Sequence, residues 1–74
     1  MKRLGKQVQY FGVDLWITMP YVAVDVDGSL YEYEKEPILF NIEWISSSGI
    51  DYNRLGKVDL EGVDWKDTLL RFDI

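Results

Sequence analysis

The residues of this chain whose types and spacing are best suited to chemistry are two carboxylates, Asp25 and Asp27. They follow an apolar segment and precede Gly28. Paired carboxylates can hold Mg²⁺, which prefers oxygen ligands, and a carboxylate can act as a nucleophile. The chain contains no cysteine and no histidine. Thiolate chemistry is therefore excluded, and the commonest general base and metal ligand is absent. This composition argues against an independent enzyme.

Residues 22–30, VAVDVDGSL, resemble the first motif of the haloacid-dehalogenase-type phosphatases. The resemblance implies that Asp25 is a nucleophile, that Asp27 is a general acid and that Mg²⁺ lies beside them. That family requires a parallel sheet, whose crossover connections take a dozen or more residues. Only two residues separate the apolar segments here, so we interpret Asp27-Gly28 as a hairpin turn and the resemblance as coincidental. An EF-hand is excluded because Gly28 is at the fourth position of a loop that starts at Asp25, whereas the EF-hand loop needs glycine at the sixth position.

The alternation on both sides of this turn predicts a β-hairpin over residues 21–33. With Asp27-Gly28 as a two-residue loop, Val24 lies opposite Tyr31 and Val22 opposite Tyr33. Asp25, Glu32 and Glu34 then share the other face, with Asp27 at the tip. We predict that this face binds a partner, although an ordinary solvated surface is the alternative. The predicted acidic cluster comprises Asp25, Asp27, Glu32, Glu34 and Glu36.

The remaining elements predict a mainly β, small α+β domain over residues 1–74. We expect an antiparallel sheet of four or five strands, with further strands over residues 7–11, 13–17, 38–45 and, more weakly, 55–60. Phe40, Ile42 and Trp44 are expected to form core. Asp64 can cap a short C-terminal helical turn over residues 65–70, with Trp65 and Leu69 facing the sheet.

Charge is distributed unevenly along the chain. The formal net charge is −5, while Lys2, Arg3 and Lys6 form a basic N-terminal arm over residues 1–6. Residues 7–74 hold five basic and thirteen acidic residues, a formal charge of −8. Such a body is drawn to basic surfaces and repelled by nucleic acid, so we expect no direct nucleic-acid binding. Trp16 and Tyr21 are the predicted exposed aromatic anchors.

Two stretches resemble a group of small uncharacterised proteins carried by tailed bacteriophages. They are residues 21–33 with Glu36-Pro37, and residues 58–69, VDLEGVDWKDTL. The resemblance implies an accessory protein acting in the host cytoplasm, and it supplies no catalytic residues. By analogy at the level of class, small acidic phage proteins often inhibit host nucleases or defence complexes, including as anti-CRISPR proteins.

The leading hypothesis is therefore a non-enzymatic phage protein that binds and inhibits a basic, nucleic-acid-handling host protein. The alternative is a structural or assembly module that self-associates through an unpaired sheet edge. A homodimer is one form that such self-association could take. A third hypothesis is Mg²⁺-dependent chemistry at Asp25 and Asp27. No cofactor and no metal are expected. No membrane association is expected either, since no apolar run approaches the roughly 20 residues of a membrane helix.

Overall fold

The chain folds into short antiparallel strands, as predicted. The computed structural model describes residues 5–41, 43–46 and 51–73. Within these ranges, β7, β4, β3 and β8 form a four-stranded sheet in that order, while β1–β2 and β5–β6 are separate hairpins. The strands are β1 (Lys6–Tyr10), β2 (Val13–Ile17), β3 (Tyr21–Val24), β4 (Ser29–Tyr33), β5 (Ile38–Phe40), β6 (Glu43–Ile45), β7 (Tyr52–Lys57) and β8 (Leu70–Arg71).

The predicted register of the β3–β4 hairpin is wrong by one residue. Val24 lies opposite Leu30 and Val22 opposite Glu32. Gly28 takes a φ of +90°, whereas Asp27 is not among the residues with positive φ, so the two-residue turn expected for Asp27-Gly28 does not form. The loop has three residues, 26–28, which is a turn closed by a left-handed glycine. Because side chains alternate across a strand, this shift exchanges the partners on both faces.

Both faces of the four-stranded sheet are covered. On one face, Val22, Val24 and Leu30 pack against Ile17 and Tyr10 of the β1–β2 hairpin. On the other face, a second cluster is formed by Ala23, Tyr33 and Trp44, with Tyr21, Tyr31, Trp65 and Leu69 packed against it. The tyrosines of β4 therefore face β6 and the C-terminal segment.

Residues 38–45 were predicted to form one strand, and this prediction is wrong. The segment folds back on itself as the β5–β6 hairpin, with Phe40 opposite Glu43. Asn41 has a left-handed φ of 54°, a conformation typical of asparagine in tight turns. Trp44 is buried as expected, but Phe40 is 56% exposed, and Ile42 lies outside the described residues.

The C-terminal helical turn is confirmed, although it is a single turn of 3-10 helix over Trp65–Asp67. Asp64 caps it by accepting a hydrogen bond from the Lys66 N–H at 3.0 Å. Thr68 then ties the segment to β3, because its hydroxyl oxygen accepts from the Val24 N–H at 2.9 Å. The side chain of Thr68 thereby satisfies a backbone donor that would otherwise be buried without a partner.

Of the predicted basic arm over residues 1–6, the structure describes Gly5 and Lys6. Lys6 is the first residue of β1, and its Nζ donates to the Asp73 carbonyl at 3.1 Å. Residues 1–4 lie outside the described ranges. Among the described residues, no helix is long and apolar enough to cross a bilayer.

Candidate functional site

The loop between β3 and β4 fixes the positions of the Asp25 and Asp27 carboxylates. The Gly28 N–H donates to the Asp25 carbonyl, and the Asp25 N–H donates to the Ser29 carbonyl, each at 2.9 Å. Asp27 Oδ1 accepts from the Ser29 N–H at 2.9 Å. Hydrogen bonds from the backbone and the side chain of Ser29 lower the pKa of the exposed Asp27 carboxyl. Asp27 therefore stabilises the turn, with its charge directed to solvent.

Glu32 was predicted to be an exposed partner-binding residue, and the structure corrects its position. It is only 3% exposed and lies on the face of β4 that the β1–β2 hairpin covers. Its Oε1 accepts from the backbone N–H groups of Thr18 at 2.9 Å and Met19 at 3.2 Å. A carboxylate engaged in this way is a structural group that a partner does not reach.

The other predicted site residues lie in different places. Glu36 is exposed in the β4–β5 connection, and Glu34 is half-buried, its N–H donating to the Asp51 carbonyl at 3.1 Å. Trp16 is 63% exposed on β2, as predicted. Tyr21 is half-buried and packs against the second core cluster, so it is a less exposed anchor than expected. The predicted single acidic face of the hairpin is therefore not formed.

A different set of residues surrounds a recess between β4, β6 and β7. Three tyrosines line it together with a tryptophan and two carboxylates, and it encloses about 180 Å³. We call it the tyrosine groove, and its principal lining residues are Tyr31, Tyr33, Tyr52, Trp44, Asp25 and Glu43. A second, more open recess adjoins it at Asp25 and Glu43 and is also lined by Val26 and Asp27.

The aromatic wall of the tyrosine groove follows from strand register. Tyr33 lies opposite Tyr52, and Tyr31 is two residues away on the same face of β4. The ring centroids of Tyr33 and Tyr52 are 6.0 Å apart with planes at 25°, and Tyr31 lies 6.0 Å from Tyr52 and 6.3 Å from Tyr33. Tyr33 is almost fully buried, while Tyr52 is 54% exposed. Tyr33 thus forms the floor, and Tyr52 is open to a ligand.

Hydrogen bonds hold β6 against this wall. The Trp44 N–H donates to Asp25 Oδ1 at 2.9 Å, and the Tyr33 hydroxyl donates to the Trp44 carbonyl at 3.4 Å. The Trp44 indole Nε1 donates to the Trp65 carbonyl at 3.3 Å. Trp44 is therefore fixed by three neighbours, which positions Glu43 at the rim beside Asp25.

Acidic groups dominate the electrostatics of the tyrosine groove. Partial burial raises the pKa of Asp25, and the charges of Asp27 and Glu43 raise it further, against the opposing effect of the Trp44 hydrogen bond. Burial raises the pKa of Tyr33 well above its usual range, and the charge of Asp25 adds to this effect. Among the described residues that line either recess, none is basic. The site is therefore suited to a cation.

An organic cation fits this chemistry better than a metal ion does. Aromatic ring faces attract ammonium and guanidinium groups, and carboxylates pair with them through charge-assisted hydrogen bonds. Across the described part of the chain, no group of three or more acidic side chains is arranged to hold a metal ion. Asp25 and Asp27 each use one carboxylate oxygen to accept a backbone N–H.

Sequence reasoning identified Asp25 but missed the rest of the tyrosine groove. The predicted register placed Tyr31 and Tyr33 on the same face as Val22 and Val24, whereas in the structure they lie on the other face. The Tyr-x-Tyr spacing at 31 and 33 was the available signal, because it puts both rings on one face of a strand. Glu43 and Tyr52 join them only through the β5–β6 hairpin and the pairing of β7 with β4.

Three comparisons with known proteins identified no relative of this chain. A scan against family models, a search of curated proteins and a search of solved structures each gave no significant match to the chain.

Proposed function

We propose that this chain is a non-enzymatic accessory protein of a tailed bacteriophage that binds and inhibits a basic, nucleic-acid-handling protein in the host cytoplasm. The observation that carries the proposal is the tyrosine groove, an aromatic recess whose rim carries Asp25 and Glu43 and whose described lining residues include no basic side chain. Tyrosine and tryptophan are enriched where proteins bind one another, and carboxylates beside them select a positively charged surface.

The charge of the whole chain supports the same partner class. A formal charge of −5 attracts basic proteins over distances of about 10 Å, which is the Debye length at 0.1 M salt. The exposed carboxylate of Asp27, outside the tyrosine groove, adds to this field. The same charge repels nucleic acid, so the chain would compete with nucleic acid for a basic protein rather than bind it.

The positions of Asp25 and Asp27 support a binding role over catalysis. Each carboxylate accepts a backbone hydrogen bond that stabilises the β3–β4 loop or the neighbouring β6 strand. A nucleophile or general acid needs a partner group that activates it, and histidine and cysteine are absent from the chain. The two carboxylates are accounted for as a turn residue and a rim residue.

The proposal is tested by capture from a bacterial host lysate with three immobilised proteins. They are wild type, the groove variant Asp25→Asn plus Glu43→Gln, and the control Asp14→Asn plus Glu36→Gln. Both variants remove two negative charges, but Asp14 and Glu36 line neither recess. Mass spectrometry identifies the captured proteins at low and high salt.

We expect wild type and the control to capture the same basic nucleic-acid-binding protein, and the groove variant to lose it. Capture should weaken at high salt and in the presence of competing DNA or RNA. Equal capture by all three proteins would contradict the proposal. Recovery of the chain alone would also contradict it, and would favour self-association through β7, an edge strand of the four-stranded sheet.

A further inference from the structure

The tyrosine groove has the shape and chemistry to take one side chain of a partner. We propose that this side chain is an arginine, with its guanidinium group stacked on the exposed ring of Tyr52 and paired with Asp25 and Glu43. This inference rests on the proposed function, because it names the group by which a basic partner is recognised. Its basis is the composition of the groove walls, the two carboxylates and the fact that none of the described lining residues is basic.

Tyr52 is the more exposed ring of the stacked pair that it forms with Tyr33. Tyr33 is 2% exposed and Tyr52 is 54% exposed. The centroids of these two rings are 6.0 Å apart, which leaves no space for a planar group between them. A cation in the groove therefore contacts the exposed ring of Tyr52, where attraction to the ring acts within about 6 Å of its centroid. A flat guanidinium stacks there more closely than a tetrahedral ammonium does.

The carboxylates lie on the opposite side of the groove, on the β3–β4 loop and β6. The hydrogen bond from the Trp44 N–H occupies one acceptor site of the Asp25 carboxylate, which keeps further lone pairs with which to accept from a ligand. Glu43 is exposed and begins β6 beside Trp44. Guanidinium carries five N–H donors in a planar fork and can pair with two carboxylates while it stacks on a ring.

Other ligand classes fit less well. A phosphate or another anion is repelled by Asp25 and Glu43. A lysine ammonium is a compact, strongly hydrated charge, and it cannot stack on an aromatic ring while it bridges two carboxylates. The basic residues of β7, Arg54 and Lys57, line neither recess. Arg54 lies opposite Tyr31 on the same face of the sheet, outside the lining of the groove.

The inference is tested with three small probes and the intact protein. N-acetyl-arginine methylamide carries the guanidinium, N-acetyl-lysine methylamide carries an ammonium, and N-acetyl-citrulline methylamide is the neutral counterpart of arginine with nearly the same shape. Each is titrated into ¹⁵N-labelled wild type, the groove variant and the Asp14→Asn plus Glu36→Gln control, and binding is followed by amide and indole NMR shifts.

We expect the arginine probe to shift the amides of Trp44, Tyr31 and Tyr52 and to bind about two- to fivefold more tightly than the lysine probe. The citrulline probe should bind most weakly. The groove variant should lose about three- to tenfold in affinity for arginine, as expected for two partly exposed ion pairs. The control variant should bind the arginine probe as wild type does.

The groove variant should remain folded, which the same NMR spectra verify. An asparagine at position 25 can still accept the Trp44 N–H. Burial raises the pKa of Asp25, so its charged form destabilises the folded state, and stability falls as the pH rises through the titration of this carboxyl. Removing the charge should therefore preserve or increase stability at neutral pH while it weakens arginine binding.

Equal affinity for the arginine and citrulline probes, or shifts confined to residues outside the tyrosine groove, would overturn the arginine assignment. If the probes fail while lysate capture still depends on Asp25 and Glu43, the assignment is wrong and the proposed function stands. If the arginine probe binds as expected but no basic protein is captured, the site is correct and the proposed function is wrong.

Discussion

The carboxylate of Glu32 joins three segments of the chain. Its Oε1 accepts from the backbone N–H groups of Thr18 and Met19, in the connection between β2 and β3. Its Oε2 accepts from the Thr18 hydroxyl and from Asn53 Nδ2 on β7, each at 3.2 Å. A buried carboxylate is tolerated when its oxygens are satisfied in this way, so Glu32 belongs to the fold rather than to a binding surface.

Substitution of Glu32 should therefore change stability before it changes binding. Glu32→Ala leaves the Thr18 and Met19 N–H groups without their acceptor, and we expect a loss of about 2–3 kcal/mol in the free energy of unfolding. Glu32→Lys should be at least as damaging. Urea denaturation measures the loss. The matched control is Glu36→Ala, which removes an exposed glutamate and should change stability by less than about 0.5 kcal/mol. Equal stability of the two variants would show that the Glu32 hydrogen bonds contribute little.

The position of Glu32 could not be predicted from the sequence, and the reason is physical. Glutamate alternates with tyrosine along residues 31–33, and charged residues are almost never fully buried unless they are paired. Thr18, Met19 and Asn53, which satisfy its oxygens, are distant in sequence, and nothing in their identity marks them as partners. Asp64 was predictable as a helix cap because its partner, the Lys66 N–H, is two residues away.

At the scale of elements, the β3–β4 loop determines which residues form the site. Asp-Gly favours a two-residue turn, but here the loop takes three residues and places the positive φ on Gly28 alone. The one-residue difference puts Tyr31 and Tyr33 opposite Ala23 and Tyr21, toward β6. With the predicted register, the tyrosines would share a face with Val22 and Val24, and the tyrosine groove would not exist.

We expect substitution of Gly28, in the β3–β4 loop, to be more destabilising than substitution of Gly12. It has a φ of +90°, and a Cβ there would lie 2.6 Å from the Val58 carbonyl oxygen. Gly12, in the β1–β2 turn, has a φ of +73° with open space around it. Gly28→Ala and Gly12→Ala therefore share the cost of a left-handed residue, about 1–2 kcal/mol. Only Gly28→Ala also displaces backbone.

We expect Gly28→Ala to be less stable than Gly12→Ala by at least about 1 kcal/mol, the lower range for overpacking a closely packed site. Thermal or urea unfolding of the two purified variants gives this difference directly. If the two substitutions cost the same, the close approach of Val58 to the loop is not maintained in solution.

Other elements were more predictable because their signals are local. The strands over β1 and β2 and the capped C-terminal turn follow from alternation and a capping residue. The β5–β6 hairpin was missed because Ile38, Phe40 and Trp44 alternate as a single strand would. The turn at Asn41 interrupts that pattern without glycine or proline.

At the scale of the whole molecule, one small sheet carries a core on each side. The face with Val22, Val24 and Leu30 is covered by the β1–β2 hairpin, and the face with Tyr33 and Ala23 by Trp44 and the C-terminal segment. A chain of 74 residues has little apolar area to spare, yet Trp16, Phe40 and Tyr52 are each more than half exposed. Exposed aromatic residues on so small a protein are consistent with the proposal that it binds a partner.

The measurement that tests the central claim most directly is an NMR map of the surface covered by the captured partner. The purified partner is added to ¹⁵N-labelled protein, and shifts or broadening are followed for backbone amides and the three tryptophan indoles. We predict that the largest changes fall on Trp44, Tyr52 and the Asp25 loop, while the indole of Trp16 is unaffected. Changes centred on Trp16 and the β1–β2 hairpin, with the tyrosine groove unperturbed, would contradict the account.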